Sequence, residues 1–317
     1  MVGTGAVKVG MVGMALDELY RIQPTVKRVK SRDVEVSLSM NGRRPRCRPF
    51  SLDSRASSFD FIKAAQYVSN VLGRERKVDV GSPERMASLI KEASRLIGAD
   101  LVGIARFDER WIFDSTDTPG GIGSVIALGF AMDCDKLANS AERARRLHKP
   151  DFSRVGGPIS IRILRTTVYL AAYIQSLGYK AIPSMNDSGL SIPYAAAAGL
   201  GQVGRIGLLV TPHFGPRVGL SKIFTDLLLK PDGPRDLGLY RVCRVCKRCA
   251  ESCEERAISF DDEPTLEGPS PRSNSGIFKW YIDGRRCFHC STCLTACPIG
   301  RHVASNQVKP PPPDFSV

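Results

Sequence analysis

The stretch Cys243-Arg-Val-Cys246-Lys-Arg-Cys249-Ala-Glu-Ser-Cys253 repeats its spacing in Cys287-Phe-His-Cys290-Ser-Thr-Cys293-Leu-Thr-Ala-Cys297, which Pro298 follows. Two C-x2-C-x2-C-x3-C runs have the ligand spacing of a pair of [4Fe-4S] clusters. The two-residue gaps let one tight loop aim three thiolates at one cubane. The fourth cysteine, expected at the start of a short helix, serves the other cluster. Crossing the ligands predicts one cluster on Cys243, Cys246, Cys249 and Cys297, and a second on Cys287, Cys290, Cys293 and Cys253. Paired C-x2-C units also suit tetrahedral zinc, although three cysteines per run with a distal fourth, twice over, fit cubanes better. Glu254 replaces the proline usual after the fourth cysteine.

Working outward, the 317-residue chain holds ten cysteines, eight of them in this segment, which points to metal ligation in a reducing compartment rather than to a disulfide scaffold. Cys47 and Cys134 read as ordinary thiols, and the four histidines lack metal-site spacing. With 43% hydrophobic and 24% charged residues the composition is globular. No apolar run approaches the roughly 18 residues of a membrane span. Arg43-Arg44 is followed by Pro45-Arg46-Cys47-Arg48 instead of an apolar segment, so the expected location is cytoplasmic. A net charge of +13 favours an acidic protein, a polyanion or an anionic substrate, or is simply a solvated surface. Seven Arg and Lys between Arg143 and Arg165 face one Asp, and Arg241, Arg244, Lys247 and Arg248 thread the first cysteine run.

Upstream, the pattern alternates. Phe59–Leu72 has helical periodicity. Ser82-Pro83-Glu84 is an N-cap, a first-turn proline and an acid suited to the helix dipole, opening a helix that Gly98 ends. Ala99–Phe107 and Ser124–Met132 read as buried strands. Helices are expected over Asp135–Leu147, Ile161–Leu177 and Ser191–Ala198. Further strands are expected over Tyr179–Ile182, Arg205–Thr211 and Val218–Leu229. The alternation argues a layered, mixed α/β domain. The expected organisation is an arm over 1–58, this domain over 59–230, the cysteine unit over 231–303, and a proline-rich tail over 304–317.

Gly199-Leu-Gly201-Gln-Val-Gly204 matches G-x-G-x-x-G, and Asp226 stands where a ribose-binding acid would be sought. That fingerprint should follow a strand and open a helix, whereas here a helical Ala195–Ala198 precedes it and an extended Arg205–Val210 follows. Dinucleotide binding is therefore disfavoured, and the glycines read as close-approach positions beside a large flat cofactor. Trp111, Phe113, Trp280 and Tyr281 suit an apolar pocket or plain core.

Ala181-Ile-Pro-Ser-Met-Asn-Asp-Ser-Gly189, Ala198-Gly-Leu-Gly-Gln202, Thr211-Pro-His-Phe-Gly-Pro-Arg217 and Lys222-Ile-Phe-Thr-Asp226, with the cysteine runs behind them, resemble the catalytic core of corrinoid-dependent reductive dehalogenases. The likeness runs from about Ala99 to Arg301, and Tyr20-Arg-Ile-Gln-Pro24 with Lys27-Arg28 resembles that family's lead-in. The resemblance implies an α+β, nitroreductase-like domain holding a base-off cobamide, followed by a ferredoxin-like unit with two [4Fe-4S] clusters. It implies an organohalide substrate and a low-potential electron donor such as ferredoxin or flavodoxin. Asn186, Asp187 and Arg217 become catalytic candidates. Ser184, Ser191, Gly201, Arg205, Gly207, Thr211, Phe214 and Lys222 become cobamide-binding candidates.

The chain also departs from the family. Counting back from Asn186, Ser160 falls where a tyrosine proton donor is usual, and Gly219 falls where its basic partner is usual. Three readings follow. One is a dehalogenase-like reductase whose proton comes from Asp187 or from a water held by Arg217 or Lys222. A second resembles the epoxyqueuosine reductases, which pair a corrinoid and two clusters with an Asp acid, and would make tRNA a partner. The third is a non-catalytic electron carrier or cobamide-binding protein.

Overall fold

The computed structural model describes residues 77–113, 120–149, 156–185, 188–269 and 278–300. The expected helix over 59–72, the N-terminal arm and the tail lie outside them. Helix α1 (Pro83–Ile97) begins as its cap predicts, with the Ser82 hydroxyl accepting from the Arg85 N–H, and it ends at Gly98, whose φ of 124° suits glycine. Strand β1 (Leu101–Arg106) and strand β2 (Ser124–Ala131) follow. Helix α2 (Cys134–Leu147) is capped by Asp133, whose carboxylate accepts from the Asp135 and Lys136 N–H groups. Next come α3 (Gly156–Ser176), β3 (Ala181–Ser184), α4 (Ser191–Ala197), the short strands β4 (Gln202–Val203) and β5 (Leu209–Val210), and β6 (Val218–Thr225).

The main sheet has the order β1-β2-β6-β3 and is antiparallel throughout. Its strands alternate between two cores. Ile104, Ile126, Leu128, Phe130 and Ile223 pack with α1 and α3 on one face. Ala105, Val125, Ala127 and Phe224 pack on the other face against Tyr194, Ala195 and Ala196 of α4. Both faces are therefore covered, which is why β2 reads as an unbroken apolar run instead of an alternating one. At roughly 25 cal/mol per Å² of apolar surface, this double burial is what holds the sheet between its helical layers.

One expected strand needs correction. Residues 205–211 are not one strand. Gly207, at φ 70°, turns the chain between β4 and β5, and only Leu209–Val210 pairs back on Gln202–Val203. Glycine-rich Gly199–Gly204 therefore follows a helix and enters a hairpin, the opposite context to a dinucleotide fingerprint. Asp226 is engaged elsewhere, paired with Lys77 at 2.8 Å.

The cysteine unit adds α5 (Leu239–Cys246), α6 (Arg248–Glu251) and α7 (Thr292–Ala296). A third core of Leu137, Ile206, Val210, Leu239, Ala250, Ile258 and Leu294 joins it to α2 and the β4–β5 hairpin. Cys253 and Cys297 follow the ends of α6 and α7 rather than starting helices. Ala250 and Leu294 anchor those turns in the core, and Cys297 is extended because a residue before proline avoids the helical region.

Candidate redox site

The cysteine loops carry unusual backbone. Lys247, His289 and Ser291 have φ values of 42°, 60° and 66°, and each lies between two cysteines of a run. Left-handed conformations at such residues persist only where surroundings enforce them. Here they curl the two-residue gaps so that successive thiols turn inward. Burial raises the thiols of Cys243 and Cys287, raises that of Cys249 to about 12, and raises that of Cys293 further still. Charge on neighbouring cysteines adds to this, and the neighbours include the fourth cysteine of the opposite run. Cys243 feels Cys297 and Cys246, and Cys249 feels Cys243 and Cys297. Cys287 feels Cys290 and Cys253, and Cys293 feels Cys287 and Cys290 as well as Cys249 and Cys253. The fold thus brings the fourth cysteine of each run to the other run.

Among the described residues, no three His, Cys, Asp or Glu side chains converge as ligands of a single metal ion. The donor set fits polynuclear clusters: eight free thiols, partly buried, with N–H and O–H donors aimed at sulfur. Ala257 N–H lies 3.3 Å from Cys253 Sγ, and Thr292 Oγ1 lies 3.3 Å from Cys290 Sγ.

A cavity of about 610 Å³ separates the sheet domain from the cysteine unit, within the roughly 300–1,000 Å³ of small-molecule sites. Its sheet-domain wall is Gly189–Pro193 at the start of α4, Gly207-Leu208, and Val218–Leu220 at the start of β6. Its opposite wall includes Cys253, Cys287, Cys290 and Cys293. That is one whole crossed set, whereas Cys243, Cys246, Cys249 and Cys297 do not line it. Lys279 also lies on the wall, 4.9 Å from the Tyr281 ring centroid, and desolvation lowers its ammonium to about 8.

Of the candidates named from sequence, Ser191 and Gly207 stand on this wall. Lys222 is buried beneath it. Its ammonium donates to Met185 O, to Gly189 O at 2.9 Å and to Ser191 Oγ at 3.1 Å. It thereby pins both flanks of the loop containing Asn186 and Asp187, two residues that lie outside the described ones. Ser184 is buried at the end of β3, opposite Lys222. Gly201 serves the hairpin, since a Cβ there would sit 2.4 Å from Val210 O. Thr211 Oγ1 closes a turn by accepting from the Phe214 N–H and donating to Gly215 O, and Phe214 is buried away from the cavity.

Arg205 and Arg217 are both buried and reach into the cysteine unit instead of the cavity. Arg205 donates to the carbonyls of Cys243, Arg244, Ser259 and Asp261 and lies 4.8 Å from the Trp280 ring centroid. Arg217 donates to the carbonyls of Leu294, Cys297 and Ile299. Phe113 is a cavity residue, whereas Trp111 packs edge-on against Tyr194 in the core. Sequence reasoning missed Leu190, Ile192, Leu208, Val218 and Leu220 as wall residues, because apolar side chains at these places read equally well as core.

The fold and thiol geometry define a mixed α/β redox protein with a C-terminal iron–sulfur unit, and the family of 4Fe-4S dicluster domains matches residues 242–301. A tetrachloroethene reductive dehalogenase of Desulfitobacterium hafniense is 33% identical over 265 residues, covering 68% of this chain and 48% of that one. An epoxyqueuosine reductase of Lactococcus garvieae is 29% identical over 144 residues, covering 41% of this chain and 38% of that one. A solved reductive dehalogenase, described with a mechanism for B12-dependent dehalogenation, superposes with a TM-score of 0.65 at 23% identity, covering 90% of this chain and 44% of that one. By homology the chain belongs to the reductive dehalogenase family. It spans about half the length of the Desulfitobacterium hafniense dehalogenase it matches. No helix among the described residues is long and apolar enough to cross a membrane.

Proposed function

We propose that this chain is a reductive dehalogenase-like oxidoreductase that holds a cobamide in the cavity between its sheet domain and its cluster unit, and acts on an organohalide. The observation that carries the reading is the shared wall. All four cysteines of one crossed set line the cavity, so part of its space is that cluster's own place and the remainder lies toward the Gly189–Pro193 and Val218–Leu220 segments. A group bound there would sit directly against a cluster, as one-electron delivery requires. The residues present suit a large flat ligand. Glycines stand at 189, 207 and 219, and Leu190, Ile192, Leu208 and Leu220 provide apolar contact.

The cobamide, when bound, would supply the reduced cobalt that breaks the carbon–halogen bond. The protein's part is to exclude water with the apolar wall, to hold the Met185–Ser191 loop through Lys222, and to provide a proton where negative charge develops on carbon. We infer that the tyrosine and basic partner usual in the family are missing. Ser160 is exposed, and a side chain at Gly219 would meet Ile163 Cδ1 at 2.7 Å and Ile159 Cδ1 at 3.3 Å, two apolar neighbours. Asp187 is the replacement donor in this reading, a role that requires a carboxyl still protonated near neutrality.

Anaerobic reconstitution with iron, sulfide and cobamide, followed by cobalt analysis and a visible spectrum, tests the cofactor assignment. Cobamide that elutes freely on gel filtration defeats it. Reductive turnover with a chemical reductant, compared among the natural protein, Asp187→Asn and Ser160→Tyr, tests the donor. Asp187→Asn is expected to lose about 10²- to 10⁴-fold, and Ser160→Tyr to gain. Fast turnover indifferent to Asp187 rules it out as the acid.

A further inference from the structure

The two buried guanidiniums are distributed unequally. Arg205 donates from Nε to Cys243 O at 2.8 Å, and its backbone N–H is hydrogen-bonded to the Cys243 thiol. Its charge acts on both Cys243 and Cys249. Arg217 donates from Nη1 to Cys297 O at 3.1 Å. Cys243, Cys249 and Cys297 all belong to the set that does not touch the cavity. Both arginines are almost wholly buried, at 1% and 3% exposure, and neither forms an ion pair with a carboxylate among the described residues. Arg217 Nε is also buried with no acceptor among the described residues, the kind of orphaned donor that a bound acceptor satisfies.

The cavity-side set has different surroundings. Glu254 and Glu255 follow Cys253 directly and line the cavity. Arg145, whose charge reaches Cys290, is half exposed and spends its guanidinium on Glu254. Hydrogen bonds to sulfur do not separate the two sets. Arg205 and Ala250 donate backbone N–H groups to Cys243 and Cys249, while Ala257, His289 and Thr292 donate to Cys253, Cys287 and Cys290. Buried guanidinium charge does separate them: the cavity-side set has Lys279 on its shared wall but no buried arginine among the described residues. Adding an electron to a cluster adds negative charge, which a nearby buried cation stabilises in low dielectric and a neighbouring carboxylate opposes.

We propose that Arg205 and Arg217 are positioning residues that make the cavity-remote cluster the higher-potential one of the pair, so that an incoming electron rests there. This rests on the two-cluster reading above. A one-electron donor protein of low potential loses one electron, and the cavity-remote cluster gains it. Transfer onward to the cavity-side cluster is then slightly uphill and is drawn forward only when the cavity group accepts. The arrangement would hold reducing equivalents away from the cavity between turnovers.

An EPR-monitored redox titration of the cluster-loaded protein tests this without any turnover. Two one-electron steps are expected, and the higher one should disappear in Cys297→Ala while persisting in Cys253→Ala. Arg205→Gln removes the charge while leaving a shorter, neutral side chain with an amide donor. It should reduce the equilibrium constant of the higher step about tenfold, or 59 mV for one electron, and leave the lower step nearly unmoved. Arg205→Lys, which keeps the charge without the planar fork, should restore most of it, a rescue that a purely structural clamp would not give. Arg217→Gln and Arg217→Lys repeat the test independently should an Arg205 variant fail to fold. A protein that holds both clusters but whose higher step survives Cys297→Ala, or whose potentials ignore both charge removals, overturns the inference and leaves the two-cluster reading standing. A protein with no reducible iron overturns both.

Discussion

Gly215→Ala is expected to remove one cluster by breaking a contact between two distant loops. Gly215 lies in the Thr211–Gly215 turn at φ 57°, and a Cβ there would stand 2.1 Å from Ile299 O. Its counterpart Gly300, at φ 69°, would place a Cβ 2.3 Å from Gly215 N. The two backbones meet with no room for a methyl group, two residues beyond Pro298 and three beyond Cys297. The left-handed backbone alone costs an alanine about 1–2 kcal/mol. A backbone oxygen closer than any normal contact must also move, and overpacking of this kind costs about 1–3 kcal/mol more. Gly233 isolates the first contribution, since it has φ 80° and nothing within 4 Å of its Cβ position. Gly233→Ala should lower stability by about 1–2 kcal/mol with iron content unchanged. Gly215→Ala should cost about 2–5 kcal/mol and displace the Cys297 segment, so that iron falls from about eight to about four per chain. Iron and sulfide analysis with thermal unfolding of the loaded protein decides. Full iron in Gly215→Ala, or equal losses in the two variants, would refute the argument that this contact holds Cys297 in place.

Crossed ligation predicts that Cys253→Ala perturbs the EPR signal of the cluster built on the second run and Cys297→Ala that of the first. Damage confined to the variant's own run would point to two independent single-run sites. Lys279 has its ammonium lowered to about 8 by desolvation, below the roughly 10.4 of a solvated lysine. Below pH 8 both folded and unfolded chains carry this proton and the fold bears the cost of burying the charge. Between about 8 and 10.4 only the unfolded chain keeps it, so this residue's contribution to stability rises with pH across that window. Lys279→Met should therefore stabilise the protein at pH 7 and flatten that rise, as pH-dependent denaturant unfolding would show.

The residues whose roles are settled within one turn of chain were legible in the sequence. The two C-x2-C-x2-C-x3-C runs mark a 4Fe-4S dicluster domain because the spacing is local to each run. Ser82 and Gly98 mark the ends of α1 because capping is a contact among near neighbours. β2 is recognisable because both of its faces are apolar. Tertiary structure alone decided the rest. The alternation of helices and strands is compatible with parallel pairing, and only the packing of α1 and α3 on one face and α4 on the other selects the antiparallel order β1-β2-β6-β3. Arg205 and Arg217 sit in segments that resemble a cofactor site, yet their acceptors lie tens of residues further along the chain, at Cys243 and at Cys297. A guanidinium turns to whichever carbonyls the fold leaves unpaired within its reach, and local sequence carries no record of that. The cavity is legible least of all, since its wall is apolar residues that would read identically in a core, and only the gap between two packed units makes them a site.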